Sequence, residues 1–372
     1  MDDRIKKICF IAPANNYHTK KWCNWFVKNG YEVHVISFIN DHIDGVKVHY
    51  VSTGADATSS DEKKLSYLFH GKDVKKIIQE IKPDIINAHY ASSYGAVAAL
   101  AGLKNYYLSV WGSDIYDFPQ KSLLHKELIK FVLKRATYIM STSKAMADET
   151  HKYTSKRIEI TPFGVDMTLF NPNKRTRSND DAFVIGNIKA LSSKYGIDYL
   201  LRAAKVVVES RPDIPLQVRI AGKGPEEESL KKLAVKLGIA DRVTWLGFIS
   251  QTKAADEWSN FDIGVVSSSS SSESFGVSAV ECQASGVPVI ITDPLGLQEA
   301  TDPGKTSVVV PRKNEKAIAK AIIDLYDHPE KRLEMGKAGR KFVEAHYELN
   351  ACFKKIEGIY KNNLARTVKR NG

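Results

Sequence analysis

The stretch SSSSSSESFGVSAVECQASGVPVIITDPLGLQE, residues 267–299, decides how the chain is read. Just before it the apolar run IGVV, residues 263–266, reads as a buried strand, and VPVII, residues 287–291, reads as the next one. Between them Phe275, Gly276 and Val277 open a helical pattern that carries Glu281. Gly286 stands where a left-handed residue closes a helix. Strand, loop, helix, strand is a βαβ unit, and such units place ligands beyond the carboxyl ends of their strands. Here Glu273 and Glu281 flank the first turn of a helix whose open N–H groups and dipole suit a phosphate. A sugar nucleotide fits that arrangement, with pyrophosphate at the helix start and hydroxyl groups against the two acids.

Two glutamates enclosing seven residues are common, and alone they read as solvated carboxylates. Their surroundings change the reading. E-S-F-G-V-S-x-x-E followed by S-G-V-P-V-I closely resembles the E-x7-E segment of the family 4 glycosyltransferases, retaining enzymes of the GT-B fold. A second segment, Pro162-Phe163-Gly164-Val165-Asp166 with Phe170-Asn171-Pro172, resembles the P-x-G-V-D-x-x-x-F-x-P stretch that leads from the first domain of that family into its second. Phe163 stands there in place of the frequent Asn. The resemblance covers nearly the whole chain. It implies an α/β, GT-B architecture: two Rossmann-like domains facing a cleft, with a C-terminal helix crossing back to the first.

Length agrees with two domains, because 372 residues exceed one ordinary core. Hydrophobic residues at 43% and charged residues at 26% describe a globular protein. The charged start MDDRIKK is unlike a signal peptide, and no apolar run is long enough for a bilayer, so a cytoplasmic protein is expected. Cys9, Cys23, Cys282 and Cys352 lie far apart and read as reduced, packed thiols. A net charge of +11 attracts polyanions. Without a nucleic-acid motif beside it, no nucleic-acid partner is expected, and a diphosphate ligand or an anionic membrane surface at the inner face ranks higher.

In the first half, apolar runs at residues 6–12, 32–38, 84–90, 106–112, 137–143 and 157–163 alternate with helical patterns, which predicts a parallel sheet covered on both faces. The loop after the first run, Pro13-Ala14-Asn15-Asn16-Tyr17-His18-Thr19, lacks the Gly-Gly pair frequent in relatives. Asn15, Asn16 and His18 either contact ligand by side chain or simply cap a helix. His89 and the W-G-S-D segment, Trp111 to Asp114, stand at strand ends, where an open sheet places chemistry. The resemblance puts His18, His89, Trp111 and Asp114 on the acceptor side, Trp111 falling where many members carry a His. Two readings stay open for Asp114, an acceptor-side carboxylate or a helix cap. Two also stay open for His89, a chemical role or a half-buried, hydrogen-bonded histidine.

Two basic helical patterns follow the same half, one with Lys63, Lys64, Lys72, Lys75 and Lys76, the other with Lys121, Lys126, Lys130, Lys134 and Arg135 beside Leu124, Leu128 and Phe131. Each is either an ordinary solvated face or a face that lies on anionic headgroups.

In the second half, the polar stretch 173–181 reads as a linker between a first domain, residues 1–172, and a second, residues 182–349, with residues 350–372 as the returning helix. By resemblance, the loop after the strand at 182–188 supplies cations for the donor diphosphate. Lys194 takes the place of the family's Lys, with Tyr195 inserted before the glycine, and Lys189 substitutes for its Arg. Gly222-Lys223-Gly224-Pro225 resembles the G-x-G-P loop bordering the nucleotide, and Phe248 closes the strand whose end meets the base.

The reaction implied is sugar transfer from a nucleotide-diphosphate sugar, a UDP-sugar being expected, to an acceptor hydroxyl of a lipid-linked or saccharide substrate, with retention. Glu273, Lys194 and Lys189 are the expected catalytic residues. Glu281, Phe275, Gly276, Val277, Ser278, Gly222, Lys223, Gly224 and Phe248 are expected around the donor. The donor is a substrate and no cofactor is expected; no D-x-D segment stands in context, and the resemblance implies metal independence. A dehydrogenase of similar architecture would need G-x-G-x-x-G where Pro13-Ala14-Asn15 stands. A non-catalytic sugar-nucleotide-binding protein of the same fold remains the alternative.

Overall fold

The computed structural model describes residues 5–53, 65–177 and 182–371. The chain divides into two compact units, Met1–Phe163 with Asn350–Gly372, and Gly164–Leu349. The division thus falls between Phe163 and Gly164, ahead of the polar stretch expected to act as linker. That stretch is held where it is described. Arg175 Nη2 donates to Asp262 Oδ1 at 2.8 Å, Arg177 pairs with the same carboxylate, and Thr176 N donates to Asn260 Oδ1 at 3.0 Å. Residues 178–181 of it, and Lys63 and Lys64, lie outside the described residues.

The first unit is a seven-stranded parallel sheet: β1 Lys7–Ile11, β2 Glu32–Ser37, β3 Lys47–Tyr50, β4 Ile85–His89, β5 Tyr107–Val110, β6 Tyr138–Ser141 and β7 Ile158–Ile160, in the order β3-β2-β1-β4-β5-β6-β7. The second unit repeats the plan with six: β8 Phe183–Ile188, β9 Leu216–Ala221, β10 Val243–Gly247, β11 Ile263–Val266, β12 Val289–Thr292 and β13 Ser307–Val310, ordered β10-β9-β8-β11-β12-β13. All recorded pairings are parallel. Parallel strands need helical crossovers, which bury both faces and explain the unbroken apolar runs of β1, β11 and β12. In each sheet the order reverses once, at β1/β4 and at β8/β11, and a crevice opens there beyond the carboxyl ends.

The two faces of the first sheet have different covers. Cys9, Ile11, Ala88, Leu108 and Ile139 point into one cluster with Val74, Val97, Ile129 and Val132 from three helices. On the other face Phe10 meets Trp22 and Phe26, each at 5.9 Å between ring centroids. The helix Leu349–Asn371 closes that face: Phe353 lies 5.6 Å from Trp22, and Tyr360 stacks on Phe26 at 5.9 Å. Both side chains are fully buried, and each such burial is worth about 1.5–3 kcal/mol. All four cysteines are buried and free, and burial pushes the Cys9 and Cys23 thiols well up, so they pack as small apolar groups. Among the described residues no helix is long and apolar enough to cross a membrane.

Candidate active site

At the switch point of the second sheet, Lys189 follows the end of β8 and the serine run follows the end of β11. The sheet brings these segments side by side because Ile263 and Gly264 pair with Ile185 and Gly186. Lys189 Nζ donates to Glu273 Oε1 at 3.0 Å, and Ser268 Oγ donates to Glu273 Oε2 at 2.9 Å. The Lys189 and Glu273 side chains are only 14% and 10% exposed. Burial alone would lower the Lys189 ammonium. Glu273 beside it, together with Tyr195 and Glu281, outweighs that and holds it above the ordinary lysine range.

Lys189 and Lys194 share one aromatic ring. Their ammonium groups stand 4.5 and 5.0 Å from the centroid of Tyr195, within cation–π range. The turn Ser193–Tyr195 that carries Lys194 and the ring is tied to the serine run: Ser269 N donates to Lys194 O at 2.9 Å, Ser269 Oγ to Ser193 O at 2.7 Å, and Ser267 Oγ to Tyr195 O at 3.2 Å. A low-complexity segment in sequence is thus a set of hydroxyl donors that hold the cationic turn.

The helix after Glu273 is Val277–Ala284, with Gly276 as its N-cap at φ +75°. That backbone conformation excludes most side chains. Ala279 N and Val280 N donate to Gly276 O, and no side chain caps this helix, so the N–H groups of Val277 and Ser278 are the ones open to an anion. Ser278 Oγ donates to Ile188 O at 2.8 Å, which fixes the helix start against the end of β8. Phe275 is buried against Tyr347 at 5.0 Å, and Glu281 is buried close enough to Lys189 to act on its charge. Gly286, at φ +74°, closes the helix as its position predicts.

The Gly222-Lys223-Gly224 loop lies directly on the backbone after β8. A Cβ on Gly222 would meet Lys189 O at 1.9 Å, and Gly222 has φ +140°. Leu191 N donates to Lys223 O at 3.0 Å, and Gly222 N donates to Gly247 O at 2.7 Å, which sets Phe248 beside the loop with 76% of its surface exposed. The structure therefore gathers Lys189, Lys194, Glu273, Glu281, Phe275, Gly276, Val277, Ser278, Gly222, Lys223, Gly224 and Phe248 within one unit, around the carboxyl ends of β8 to β11.

The acceptor-side candidates gather at the rim of the first sheet. Asn16 caps the helix Tyr17–Lys28, its Oδ1 accepting from His18 N at 2.8 Å and Thr19 N at 3.2 Å. The His18 ring stacks on Phe163 at 3.9 Å. Asp114 is buried and accepts from Ala91 N at 2.8 Å, Gly112 N at 2.8 Å and Trp111 N at 3.2 Å, so its carboxylate clasps the ends of β4 and β5 together. Burial outweighs these bonds and leaves its carboxyl above the usual aspartate range. This is a cap, but for two strand ends and not for its own helix. His89 is wholly buried rather than half-buried, packed against Phe10, Trp22 and Trp111, and neither ring nitrogen has a hydrogen-bond partner. Burial lowers its pKa to about 3.

Two residues around Glu273 escaped sequence reasoning. Tyr195 was visible only as an insertion between Lys194 and Gly196, and Ser268 was one of six identical residues. An aromatic residue set against a lysine in a loop after a buried strand was the available signal for the first. No signal marked the second.

Residues 7–143 match the family model described as Glycosyl transferase 4-like, and residues 171–342 match Glycosyl transferases group 1. A D-inositol 3-phosphate glycosyltransferase of Pseudarthrobacter chlorophenolicus is 30% identical, over 88% of this chain and 85% of its own. Among solved structures, sucrose-phosphate synthase from Thermosynechococcus elongatus superimposes with a TM-score of 0.85 at 20% identity, covering 97% of this chain and 100% of its own. HepE from Anabaena, solved in complex with UDP-glucose, gives 0.78 at 17% identity over 96% and 99%. A chain of two parallel-sheet Rossmann-like units with this sequence likeness belongs to the group 1 glycosyl transferases, family 4, enzymes of GT-B fold.

Proposed function

We propose that the protein transfers a sugar from a nucleoside-diphosphate sugar, a UDP-sugar, to an acceptor hydroxyl with retention of anomeric configuration. The observation that carries this reading is the Lys189–Glu273 contact of 3.0 Å at the β8/β11 switch point, next to the uncapped helix start at Gly276. In this scheme the diphosphate lies between the Lys189 and Lys194 ammonium groups and the first turn of Val277–Ala284. Charge growing on the departing phosphate is met there by groups already in place. Glu273 orients the sugar hydroxyls, exchanging its bond from Ser268 for one from the donor, and Glu281 takes the ribose.

The bond from the anomeric carbon to the phosphate oxygen breaks while the acceptor oxygen bonds to that carbon on the same face. The acceptor proton passes to the departing phosphate oxygen. The donor itself supplies the leaving group, so the scheme contains no cofactor, and two lysines and a helix end take the place of a metal ion. The acceptor is a lipid-linked or saccharide intermediate of cell-surface polysaccharide or glycolipid synthesis. The name of the 30% identical relative adds a phosphorylated cyclitol to the acceptors worth testing.

The test is release of nucleoside diphosphate from a panel of UDP-, GDP- and ADP-sugars, with and without acceptors, in buffer containing a chelator. Turnover with UDP-sugars that falls by about a hundredfold or more in Glu273→Ala supports the reading. Tight UDP-sugar binding with no turnover under any condition would support the non-catalytic alternative instead.

A further inference from the structure

The helix Leu123–Arg135 buries Ile129, Val132 and Leu133 against the first sheet and turns a different set of residues outward. Leu123, Glu127, Lys130 and Lys134 recur at intervals of four, three and four residues, so they form one stripe. Leu124, Phe131 and Arg135 form the stripe beside it. Leu123 is 80% exposed, Leu124 79% and Phe131 40%. Single exposed leucines are ordinary, but three large apolar side chains on adjoining stripes of one helix are not. The apolar pair occupies the first turn, directly after the Ser122 N-cap, where water-facing positions normally carry polar residues.

The charges on this face have one sign in excess. Lys130, Lys134 and Arg135 stand against Glu127 alone, which pairs with Lys130 at 2.7 Å, and Lys121 and Lys126 flank the first turn. The helix Tyr94–Leu100 packs beside Leu123–Arg135, with Gly71–Ile81 on the far side of Tyr94–Leu100, and all three share one buried cluster, so they cover the same face of the sheet. In that layer Phe69 is 87% exposed, just ahead of the exposed Lys72, Lys75 and Lys76. The helix Gly71–Ile81 also exposes Asp73 and Glu80, so cations exceed acids on both helices without excluding them. Apolar side chains set among such an excess match a surface with negative headgroups over hydrocarbon.

We infer that the outer face of Leu123–Arg135, with Phe69 as a second contact, docks the first unit onto an anionic lipid bilayer. Leu123, Leu124 and Phe131 enter the headgroup boundary while Lys121, Lys130, Lys134 and Arg135 meet the lipid phosphates. The docking is lateral and reversible, and it uses none of the residues placed around the donor. It extends the proposed function by bringing the enzyme to a lipid-linked acceptor, yet it stands or falls separately from the donor chemistry.

The test is co-sedimentation of the full chain with vesicles of phosphatidylcholine alone and of phosphatidylcholine mixed with phosphatidylglycerol, at low and high salt. The protein is expected to pellet with the mixed vesicles only. A Leu123→Ser/Leu124→Ser variant should lose at least about tenfold in vesicle affinity. A Lys130→Gln/Lys134→Gln/Arg135→Gln variant should lose on the order of a hundredfold and most of the salt dependence. Both variants should hydrolyse donor in vesicle-free buffer like the parent, which shows that they fold. Failure of the parent to pellet with mixed vesicles overturns the inference, and so does equal pelleting of parent and variants. Concentration-dependent self-association abolished by Leu123→Ser/Leu124→Ser, without vesicle binding by the parent, would assign the face to a second copy.

Discussion

Lys189 Nζ and Glu273 Oε1 stand 3.0 Å apart although 84 positions separate the two residues in the chain. Lys189→Ala should lower turnover of the donor by about a hundred- to a thousandfold, as loss of a preorganised group facing developing charge does, measured by release of nucleoside diphosphate. The pH dependence has a defined sign. The folded pKa of Lys189 lies above its unfolded value of about 10.4, so its contribution to stability is complete below that pH and is lost only as pH rises through the folded value. Titration of Lys189 should therefore produce no alkaline loss of activity or stability up to about pH 10, as followed by rate and thermal unfolding from neutral pH upward.

Tyr195 presents its ring to two ammonium groups, so the ring and not the hydroxyl is the feature that matters. Tyr195→Phe should keep kcat/KM within about twofold of the parent. Tyr195→Ala should lose about five- to thirtyfold, since two cation–π contacts of this kind are worth about 0.5–1 kcal/mol each. Equal losses in the two variants would move the role to the hydroxyl.

His89 gives the first unit an acid-side weakness. Below pH 6.5 the unfolded chain takes up a proton that the buried ring refuses until about pH 3, so stability falls as pH drops through that window. The slope attributable to this residue is about 1.4 kcal/mol per pH unit. Chemical denaturation of the parent and of His89→Phe between pH 7 and 4 should show a shallower loss in the variant.

Asn87 Nδ2 donates to Tyr360 Oη at 2.7 Å, and Ser109 Oγ donates to Asn87 Oδ1 at 3.1 Å, all three residues being buried. Tyr360→Phe strands the Asn87 amide and should cost about 1–3 kcal/mol by denaturant unfolding. Adding Asn87→Leu and Ser109→Ala to that variant removes the stranded groups, and part of the loss should return.

The βαβ unit around residues 263–292 was legible because IGVV and VIIT are buried throughout, so no polar alternation blurs them. β3, KVHY, was not legible: it is an edge strand with exposed ends, and its four residues present neither a run nor a stripe. β13, SVVV, has an apolar run, but one short enough to pass for the lead-in to the helix Glu315–Asp327. At the site, the pairing of Lys189 with Glu273 could be expected only through family resemblance, because nothing local links residues on different strands. The clasp made by Asp114 and the isolation of His89 depend on which groups the sheet sets opposite them. A single sequence does not encode those distances in any local pattern.

The most direct measurement is a crystal structure of the protein with a UDP-sugar or UDP bound. The account predicts phosphate oxygens within hydrogen-bonding distance of Lys189 or Lys194 and of the first-turn N–H groups of Val277–Ala284, with Glu281 at the ribose. A nucleotide bound in the first unit, or in the second unit away from Gly276, would contradict it.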